Sequence, residues 1–459
     1  MPAATAPKLA PGPRPHLLVG NLADVRRDRL GLITRLRREY GDLVRFKMAS
    51  RTLHVVSRPE YVRHVLHENH QNYCKGVGLA QAKRWLGEGL VTSEGEKWAR
   101  QRRMVQPSFH RARLGPFAAI VAETAGAMID RWRGLAARGE VIDLAEQMMR
   151  FTVSVIAKVM FSTDIANAGE MGAAFATALH DAMERMTEIV ALPDWFPTPG
   201  KRRFQRAIRV LDGIVRAIVQ EHRNGAVRDD LVSRLLAERD GPDGGFTDEE
   251  VRDQVMTILL AGHETTATSI AWTFHLLGQH PEALEAMRAE ADTVLNGRVP
   301  THEDVPRLVW ARQVYEESLR LYPPVWLIPR RAIAADVVGG YFIPPDSDML
   351  ICPWVIHRHP DYWDDPETFD PRRFAAEETA ARLPYTFLPF GAGPRACIGK
   401  SLAMMEALIA LTMITQHFRL EPVDGGAVIP EPLLTLRFRN GIRMRPVLLH
   451  REAVSAVSN

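Results

Sequence analysis

The sequence predicts a mainly helical fold with small β-sheets. Apolar residues recur with helical periodicity from Gly95 to about Leu321, which is the larger part of the 459 residues. Before this region, residues 42–48 and 53–57 are β-rich runs on either side of a polar turn, so they predict a hairpin. Past Pro323 the pattern changes to short strands and loops. Together these observations predict a helical body with small sheets on one side.

Composition is that of an ordinary globular protein. Hydrophobic residues make up 46% and charged residues 25%, and the net charge of +3 does not indicate nucleic acid as a partner. The sequence has 3 cysteines, an odd number, and no C-x-x-C motif, which argues against a disulfide framework. No apolar run is long enough for a signal peptide or a membrane span. We therefore expect a cytoplasmic protein without a membrane anchor.

The domain organisation and the first elements can be predicted as follows. Residues 1–20 are proline-rich and predict an extended leader, while residues 21–459 show no domain boundary and are expected to form one domain. Helices are predicted over about residues 30–40 and from Pro59 to His67. Residues 70–95 have weak periodicity and frequent glycine, so they predict a long loop of the kind that binds ligands.

Two breaks interrupt the helical region. The first, Leu192–Gly200, combines prolines with Trp195 and Phe196. It predicts either a rigid turn with packed aromatic rings or a lid over a substrate entrance. The second, residues 240–245, is polar and glycine-rich and predicts a linker.

One further turn is predicted near the C terminus. Asn440-Gly441 lies between strand-like runs at residues 433–439 and 442–449. Asn-Gly is the pair that a type I′ turn favours, so the sequence predicts a hairpin there.

The longest predicted helix begins at Thr247, where Thr247-Asp-Glu-Glu250 forms a capping box. It stays apolar nearly all round until Pro281, which predicts a buried helix. Its middle reads Ala261-Gly-His-Glu-Thr-Thr266, and a buried carboxylate there is costly without a partner. A zinc-protease H-E-x-x-H motif is excluded because its second histidine is missing.

Two residues of this segment have alternative interpretations. The hydroxyl of Thr265 can bond the carbonyl one turn back and bend the helix, while Gly262 leaves an open groove. A structural kink alone would explain both residues. Glu264, beside Thr265, would remain to be explained.

A glycine-punctuated loop around Cys397 carries the second candidate site. Gly391, Gly393 and Gly399 permit tight turns and close approach of the backbone to a flat ligand. The apolar helix that follows directs its free N–H groups toward the sulfur, and such donors stabilise a thiolate with a lowered pKa. Cys397 is therefore a candidate metal ligand.

This loop also matches three other patterns in part. A lone cysteine beside an apolar helix is often a small buried hydrophobe. Residues 391–396 fit the dinucleotide pattern G-x-G-x-x-A, but too few residues follow for a doubly wound sheet. A phosphate-binding G-x-x-x-x-G-K-S fails because residues 393–401 are one position out of step.

The loop resembles the haem-binding segment of the cytochromes P450, F-x-x-G-x-R-x-C-x-G, at Phe390, Gly393, Arg395, Cys397 and Gly399. In that family the cysteine thiolate is the haem ligand. The resemblance implies a triangular, prism-like helical body with haem b (iron protoporphyrin IX) on Cys397. The haem would lie between the long central helix and the helix after the cysteine loop.

The central helix also resembles the family, at the motif A-G-x-D/E-T-T. The resemblance implies that Glu264 and Thr265 are catalytic residues that deliver protons during dioxygen activation.

A third resemblance involves Glu317-Ser-Leu-Arg320. Taken alone, such a pair is a solvated helix face that contributes a few tenths of a kcal/mol. With Arg373 downstream it resembles the family's E-x-x-R helix and P-x-R-F segment. The resemblance implies that Glu317, Arg320 and Arg373 form a buried structural network that holds the haem loop.

Cations for the haem propionates are a fourth resemblance. Trp98 and Arg102 match the family's W-x-x-x-R, and Arg331 lies five residues before Asp336, as in the family. Arg395 would be the third arginine. A guanidinium binds a carboxylate through two parallel hydrogen bonds, which suits this role.

Two polar groupings remain. His357 and His359 could pair as metal ligands, but their polar Arg-His-Pro context is typical of loop histidines. A basic cluster could be a solvated helix face or, with Lys400, a docking surface for an acidic ferredoxin or flavodoxin. The cluster consists of Lys97, Arg100, Arg103, Arg111 and Arg113.

The resemblance implies a haem-thiolate monooxygenase that inserts one oxygen atom of O2 into a lipophilic small molecule, of the fatty acid, terpenoid or polyketide class. Electrons would come from a separate ferredoxin or flavodoxin with its reductase, and we expect a monomer. A peroxide-driven peroxygenase and a haem-based ligand sensor without turnover are the alternatives. The expected pocket lining is residues 70–95, 171–203, 259–261, 325–328 and the neighbourhood of Leu434.

Overall fold

The computed structural model describes residues 7–165, 168–187, 198–237, 245–423 and 428–449. The α-helices in these ranges are α1 (Leu22–Arg27), α2 (Arg29–Tyr40), α3 (Pro59–Arg63), α4 (Val77–Leu86), α5 (Gly95–Val105), α6 (Leu114–Ala137), α7 (Leu144–Phe161), α8 (Ala168–Thr187), α9 (Pro199–Asn224), α10 (Leu231–Ala237), α11 (Asp248–Leu277), α12 (Pro281–Leu295), α13 (Val309–Leu321), α14 (Pro353–Ile356), α15 (Ala376–Ala381) and α16 (Lys400–His417).

The strands form small, separate sheets. They are β1 (Lys8–Leu9), β2 (Leu43–Met48), β3 (Arg51–Val56), β4 (Tyr73–Lys75), β5 (Ile142–Asp143), β6 (Ile328–Ala332), β7 (Asp336–Val338), β8 (Tyr341–Ile343), β9 (Asp348–Ile351), β10 (Phe418–Pro422), β11 (Pro430–Pro432), β12 (Leu436–Phe438) and β13 (Arg443–Leu448). Their orders are β2-β3-β9-β6-β4, β1-β8-β7, β10-β13-β5 and β11-β12. The prediction of a mainly helical fold with small sheets is confirmed.

Helix α11 is the central element of the helical body. The predicted capping box is present, since the Thr247 hydroxyl accepts from the Glu250 N–H and the Glu250 carboxylate accepts from the Thr247 N–H. The helix is buried on nearly all sides and packs against α7, α9, α13 and α16. A Cβ on Gly262 would lie 2.6 Å from Ile156 Cδ1, so this glycine lets α7 approach closely. That contact, and not an open groove alone, explains the glycine.

Several predicted elements agree with the structure. Strands β2 and β3 pair in antiparallel register, with Leu43 opposite Val56. Helix α2 occupies the predicted range, and α3 begins at Pro59 and continues into a π-helical turn, His64–Glu68. Of the leader, residues 10–15 have no regular structure, whereas β1 pairs in parallel with β8. The division into a leader and one domain stays a prediction.

The long loop predicted over residues 70–95 is wrong. This range contains β4 and the three-turn helix α4, with residues 87–94 as the remaining connection. Ala82, Trp85 and Leu86 are buried, so α4 packs into the core. Gly76 and Gly87 lie at its two ends, and Gly87 has a left-handed φ of 72°. These two glycines are therefore helix caps and not loop residues.

The hairpin predicted around Asn440-Gly441 is also wrong. Strand β12 pairs with β11, whereas β13 pairs with β10 and β5. Of the two turn residues only Gly441 has a positive φ, and a type I′ turn needs two. A Cβ on Gly441 would lie 2.2 Å from Asp143 Oδ2, so the chain bends tightly around that side chain into another sheet.

Two predicted breaks fall outside the described residues. Residues 192–197, with Trp195 and Phe196, are among these, so the choice between a rigid turn and a lid stays open. Of the predicted linker at residues 240–245, all but Gly245 also lies outside the described ranges.

A buried ion pair joins α13 to the segment that precedes the cysteine loop. Arg320 donates two hydrogen bonds to Glu317, at 2.6 and 2.7 Å, and neither side chain is exposed. Arg320 Nη1 also donates to the His357 carbonyl at 2.9 Å. The Arg373 guanidinium lies 3.6 Å from Glu317. The solvated-face interpretation is therefore wrong, and the three charged residues form one cluster.

The two candidate histidine ligands are buried and have separate partners. His357 Nε2 accepts from the Leu388 N–H at 2.8 Å, and burial lowers the pKa of His357 to about 3. His359 Nε2 lies 2.9 Å from Asp42 Oδ1, and this hydrogen bond is the main reason why the pKa of Asp42 falls to about 2. In the described part of the chain no group of three His, Cys, Asp or Glu could hold a metal ion.

We predict that Arg320→Met destabilises the fold by about 3–5 kcal/mol, because it leaves the Glu317 carboxylate buried without its partner. The shift of the urea unfolding midpoint, followed by circular dichroism, measures this loss. The matched control is Arg133→Met on α6, whose ion pair with Asp130 has the same three-residue spacing but is exposed. The control should change stability by less than about 1 kcal/mol. Equal midpoint shifts for both variants would contradict the assignment.

Candidate active site

A cavity of about 320 Å³ separates α11 from the cysteine loop. Its α11 wall includes Ala261, Gly262, Thr265, Thr266 and Ser269. The opposite wall contains Phe390, Cys397, Gly399 and the first turns of α16. Between the two walls the lining is largely apolar, and its members include Val91, Phe109, Ile258, Pro324, Val325 and Ile328. The predicted positions of α11 and the cysteine loop on opposite sides of one site are thus observed.

The Cys397 sulfur faces this cavity from a loop with a fixed shape. The Cys397 N–H donates to the Phe390 carbonyl at 2.9 Å. Gly391 and Gly393 have left-handed φ values of 67° and 70°. A Cβ on Gly393 would also lie 1.9 Å from the Leu66 carbonyl oxygen, so this position admits glycine alone without a shift of the backbone. Gly399 has an ordinary φ of −83°.

The chemistry of the thiol differs from the prediction. Burial raises the pKa of Cys397 above its usual value, although the N–H groups of Gly399 and Lys400 and the charge of Arg102 oppose this effect. The predicted helix-end donors are present, but desolvation outweighs them. The protein alone therefore favours the neutral thiol, and a metal cation at the sulfur would favour the thiolate.

A cluster of buried and half-buried basic side chains lies beside the cavity. Arg395 forms an ion pair with Glu94, and its guanidinium lies 4.8 Å from the centre of the Trp98 ring. Burial and the charge of Arg395 lower the pKa of Arg330 to about 10 and that of Lys75 to about 7. Lys75 Nζ donates to two main-chain carbonyls, at 2.6 and 3.0 Å.

The charges in this cluster do not balance. Lys75, Arg330 and Arg395 face one carboxylate, Glu94, which acts on both Lys75 and Arg330. Arg395 Nη1 is buried and has no hydrogen-bond partner among the described residues. Uncompensated cations are costly in a buried site. A ligand with two carboxylates would neutralise the excess, and haem b has two propionates, so the residues present fit this cofactor.

The structure corrects the register of the predicted arginine on β6. Arg330 is buried and lines the cavity, as does Ile328 two residues earlier. Arg331 lies on the other face of the strand, with its Nε 3.5 Å from Asp348 Oδ1. Adjacent residues of a strand point to opposite faces, so only one of two consecutive arginines can face the site. The register relative to Ile328 was the observation that could have identified Arg330.

Arg102 and Trp98 lie near the cysteine loop, one helical turn apart on α5. Arg102 Nη1 donates to the Ala396 carbonyl at 2.8 Å, next to Cys397. Trp98 lies against the Arg395 guanidinium. Both predicted residues are therefore adjacent to the loop, whereas Lys75 and Glu94 were missed because no local motif marks them.

The acid and the alcohol of α11 occupy different environments. Thr265 lines the cavity, and its hydroxyl donates to the Ala261 carbonyl at 2.9 Å, which is the predicted bond one turn back. Glu264, which precedes Thr265 on α11, is buried, and its Oε1 accepts from the Thr435 hydroxyl at 2.8 Å. Arg437 Nε lies 3.0 Å from the same oxygen. Thr435 and Arg437 were not found by sequence reasoning, since they are 171 and more residues away.

A second, smaller cavity, of about 90 Å³, is almost entirely apolar. Trp326, Leu327 and Pro329 line it, next to Val325 and Ile328 of the first cavity. Its other lining residues include Leu433, Leu434, Met183, Phe46 and Met48. The two cavities together contain residues from each predicted lining region.

No helix in the described ranges combines the length and apolarity that crossing a bilayer requires.

Comparison with known proteins gives one family. The cytochrome P450 family model matches residues 10–441. Cyclooctatin synthase of Streptomyces melanosporofaciens is 36% identical over 402 residues, which cover 86% of this chain and 87% of the relative. Cyclooctat-9-en-7-ol 5-monooxygenase of the same organism is 38% identical over 390 residues, 84% of each chain. Pentalenene oxygenase of Streptomyces avermitilis is 32% identical over 439 residues, 95% of this chain and 96% of the relative.

The family match spans nearly all of the chain and includes both walls of the cavity. Proteins of this family hold a haem b through a cysteine thiolate and act as monooxygenases on lipophilic molecules. The chain belongs to the cytochrome P450 family.

Proposed function

We propose that this monooxygenase hydroxylates a terpenoid hydrocarbon or alcohol, with Cys397 as the haem ligand and Glu264 and Thr265 as the proton-delivering pair. The apolar lining of the cavity between Cys397 and Thr265 is the observation that carries the proposal. Two relatives, by their names, act on an alkenol, cyclooctat-9-en-7-ol, and on pentalenene. Both names favour the terpenoid among the three lipophilic classes considered.

The protein would hold the haem through complementary contacts. The Cys397 sulfur would bind the iron, and Arg330, Arg395 and Lys75 would neutralise the propionates, with Trp98 packed against Arg395. Arg102 would add a cation near Cys397. Phe390, Gly393 and Gly399 shape the loop, and the Glu317, Arg320 and Arg373 cluster anchors the chain before it. When bound, the haem supplies the iron at which dioxygen is reduced and split.

The residues of α11 would then deliver protons, and the cavity lining would bind and orient the substrate. The Thr265 hydroxyl is at the cavity surface and can pass a proton through its Oγ1, since it can accept one hydrogen bond while it donates another. Glu264 is the ionisable group next to it and would replace that proton. The apolar lining, which includes Val325 and Ile328, would exclude water and orient a lipophilic substrate.

We further propose an acidic ferredoxin or flavodoxin, with its reductase, as electron donor. The predicted basic cluster is partly neutralised, because Lys97, Arg100 and Arg113 form ion pairs with Glu88, Glu250 and Asp229. Arg111 is exposed, and Lys400 is the first residue of α16, directly after the cysteine loop. These two cations support docking on the cysteine side of the haem by electrostatic attraction.

The register of β6 gives a direct test of cofactor binding. We expect Arg330→Met to lower the fraction of purified protein that retains haem, because it removes a buried cation from the cavity wall. Arg331→Met, the matched control on the other strand face, should retain haem like the wild type. The ratio of haem absorbance to protein absorbance measures both. A loss of haem in the Arg331 variant alone would contradict the assignment.

Turnover tests the proposed reaction. With NADPH, a surrogate acidic ferredoxin and its reductase, we expect a hydroxylated terpenoid product that requires both reductant and O2, at rates that fall as salt is added. Product from peroxide alone would indicate the peroxygenase, and binding without product would indicate the sensor.

Thr265→Ala should divert electrons to hydrogen peroxide, whereas Thr265→Ser, which keeps the hydroxyl, should not. Unchanged product yield per NADPH in Thr265→Ala would contradict the relay.

A further inference from the structure

We propose that Thr435 and Arg437 are positioning residues that hold the Glu264 carboxylate beside the cavity, and that the β11–β12 hairpin links this hold to substrate contact. We call these two residues the Glu264 clamp. The inference rests on the proposed role of Glu264 and deepens it, because it states when the acid can act.

The clamp acts on one oxygen of the carboxylate. Glu264 Oε1 accepts from Thr435 Oγ1 at 2.8 Å and lies 3.0 Å from Arg437 Nε. Glu264 Oε2 is buried and has no hydrogen-bond partner among the described residues. The carboxylate is therefore held from the hairpin side only, and Oε2 is available to bond elsewhere if that hold is released.

The nearest polar neighbour of Oε2 does not replace the clamp. His263 Nε2 is 3.9 Å from Glu264 Oε2, beyond hydrogen-bond distance. His263 Nδ1 bonds the Leu259 carbonyl, which requires the proton on Nδ1. Burial lowers the pKa of His263, so the ring is neutral and its Nε2 is an acceptor. Two acceptors face each other there, and neither holds the other.

The clamp also connects Glu264 to solvent. The Arg437 side chain is 19% exposed and lines two surface clefts, of about 330 and 350 Å³. Glu431 lines both clefts as well, and Thr268, which donates to the Glu264 carbonyl, lines the larger one. Glu264 thus lies between these clefts and the Thr265 side of α11. A proton that it gives up toward the cavity can be replaced by one from water in the cleft.

The same hairpin contacts the walls of both cavities, since it bonds Pro324 of the first cavity and lines the second. Leu433 and Leu434 line the apolar cavity, and Leu434 is joined to Thr435 by one peptide bond. Trp326 Nε1 donates to the Leu433 carbonyl at 2.7 Å, and the Leu436 N–H donates to the Pro324 carbonyl at 2.8 Å. A molecule that displaces Leu434 or the 324–326 segment therefore moves Thr435.

These contacts give the clamp a defined effect. In the absence of substrate, Thr435 and Arg437 keep the carboxylate away from Thr265, so few electrons are used without product. When substrate displaces Leu434, the bonds to Oε1 weaken and Glu264 can turn its carboxylate toward the cavity. Dioxygen reduction is then confined to the substrate-bound enzyme.

Two substitutions remove the clamp separately. Thr435→Val keeps the shape of the side chain and removes one donor, and Arg437→Met removes the counter-ion. We expect both to raise NADPH oxidation without substrate about tenfold, the lower end of the effect of one hydrogen bond to a charged group. Thr435→Ser should behave like the wild type. Arg439→Met is the matched control, because this exposed arginine is two residues farther along the same chain segment.

A spectroscopic measurement separates positioning from general damage. In infrared difference spectra of the holoenzyme with and without the substrate of the turnover assay, a carboxylate band that Glu264→Gln abolishes should shift on substrate binding. We expect Thr435→Val to show the shifted band before substrate is added, with an unchanged unfolding midpoint. The proposal is overturned if the wild-type band does not shift when substrate binds. It is also overturned if both clamp variants oxidise NADPH without substrate at the wild-type rate.

The clamp and the relay can fail independently. If Glu264→Gln leaves product yield per NADPH unchanged, the proposed function of Glu264 is wrong and the clamp has no role. If Glu264→Gln lowers this yield while both clamp variants match Arg439→Met, the relay is correct and the clamp is wrong.

Discussion

The position of the Cys397 sulfur opposite α11 is the constraint on which the rest of the structure depends. The sulfur stays there because a hydrogen bond from the Cys397 N–H to the Phe390 carbonyl closes the loop, and because Gly393 lies directly against Leu66. Burial makes the free thiol neutral, so the protein alone does not create a thiolate. The loop therefore supplies geometry, and the bound metal completes the electrostatics.

Buried charges occur at three places, and they differ in whether the protein itself neutralises them. The Arg320 guanidinium is neutralised by Glu317 within the protein, and this pair holds fixed structure. The cluster of Lys75, Arg330 and Arg395 is not neutralised within the protein, and this excess indicates a ligand with carboxylates. Glu264 is neutralised by Arg437 on a segment that also contacts the apolar cavity. The pairs within the protein fix the positions of Glu317 and Glu264, whereas the unbalanced cluster indicates a ligand.

Sequence reasoning succeeded where a local pattern determines the structure. The capping box placed the start of α11, and the spacing of Thr265 from Ala261 predicted its hydrogen bond. It failed where tertiary contacts decide. The glycines beside α4 are typical of a loop, but Trp85 is buried and the segment is helical. Asn440-Gly441 is typical of a hairpin, but the chain bends around Asp143 into another sheet. Arg330 and Arg331 could not be separated by motif, because only strand register distinguishes them. Thr435 and Lys75 meet the site through long-range contacts that no sequence spacing shows.

Sulfur ligation by Cys397 is the central claim, and the absorbance spectrum of the reduced carbon monoxide complex tests it most directly. A cysteine thiolate bound to haem iron shifts the Soret band of this complex strongly to the red compared with histidine ligation. We expect the wild type to show the red-shifted band and Cys397→His to lose it while the fold is retained. A wild-type complex that binds haem without the red shift would contradict the account.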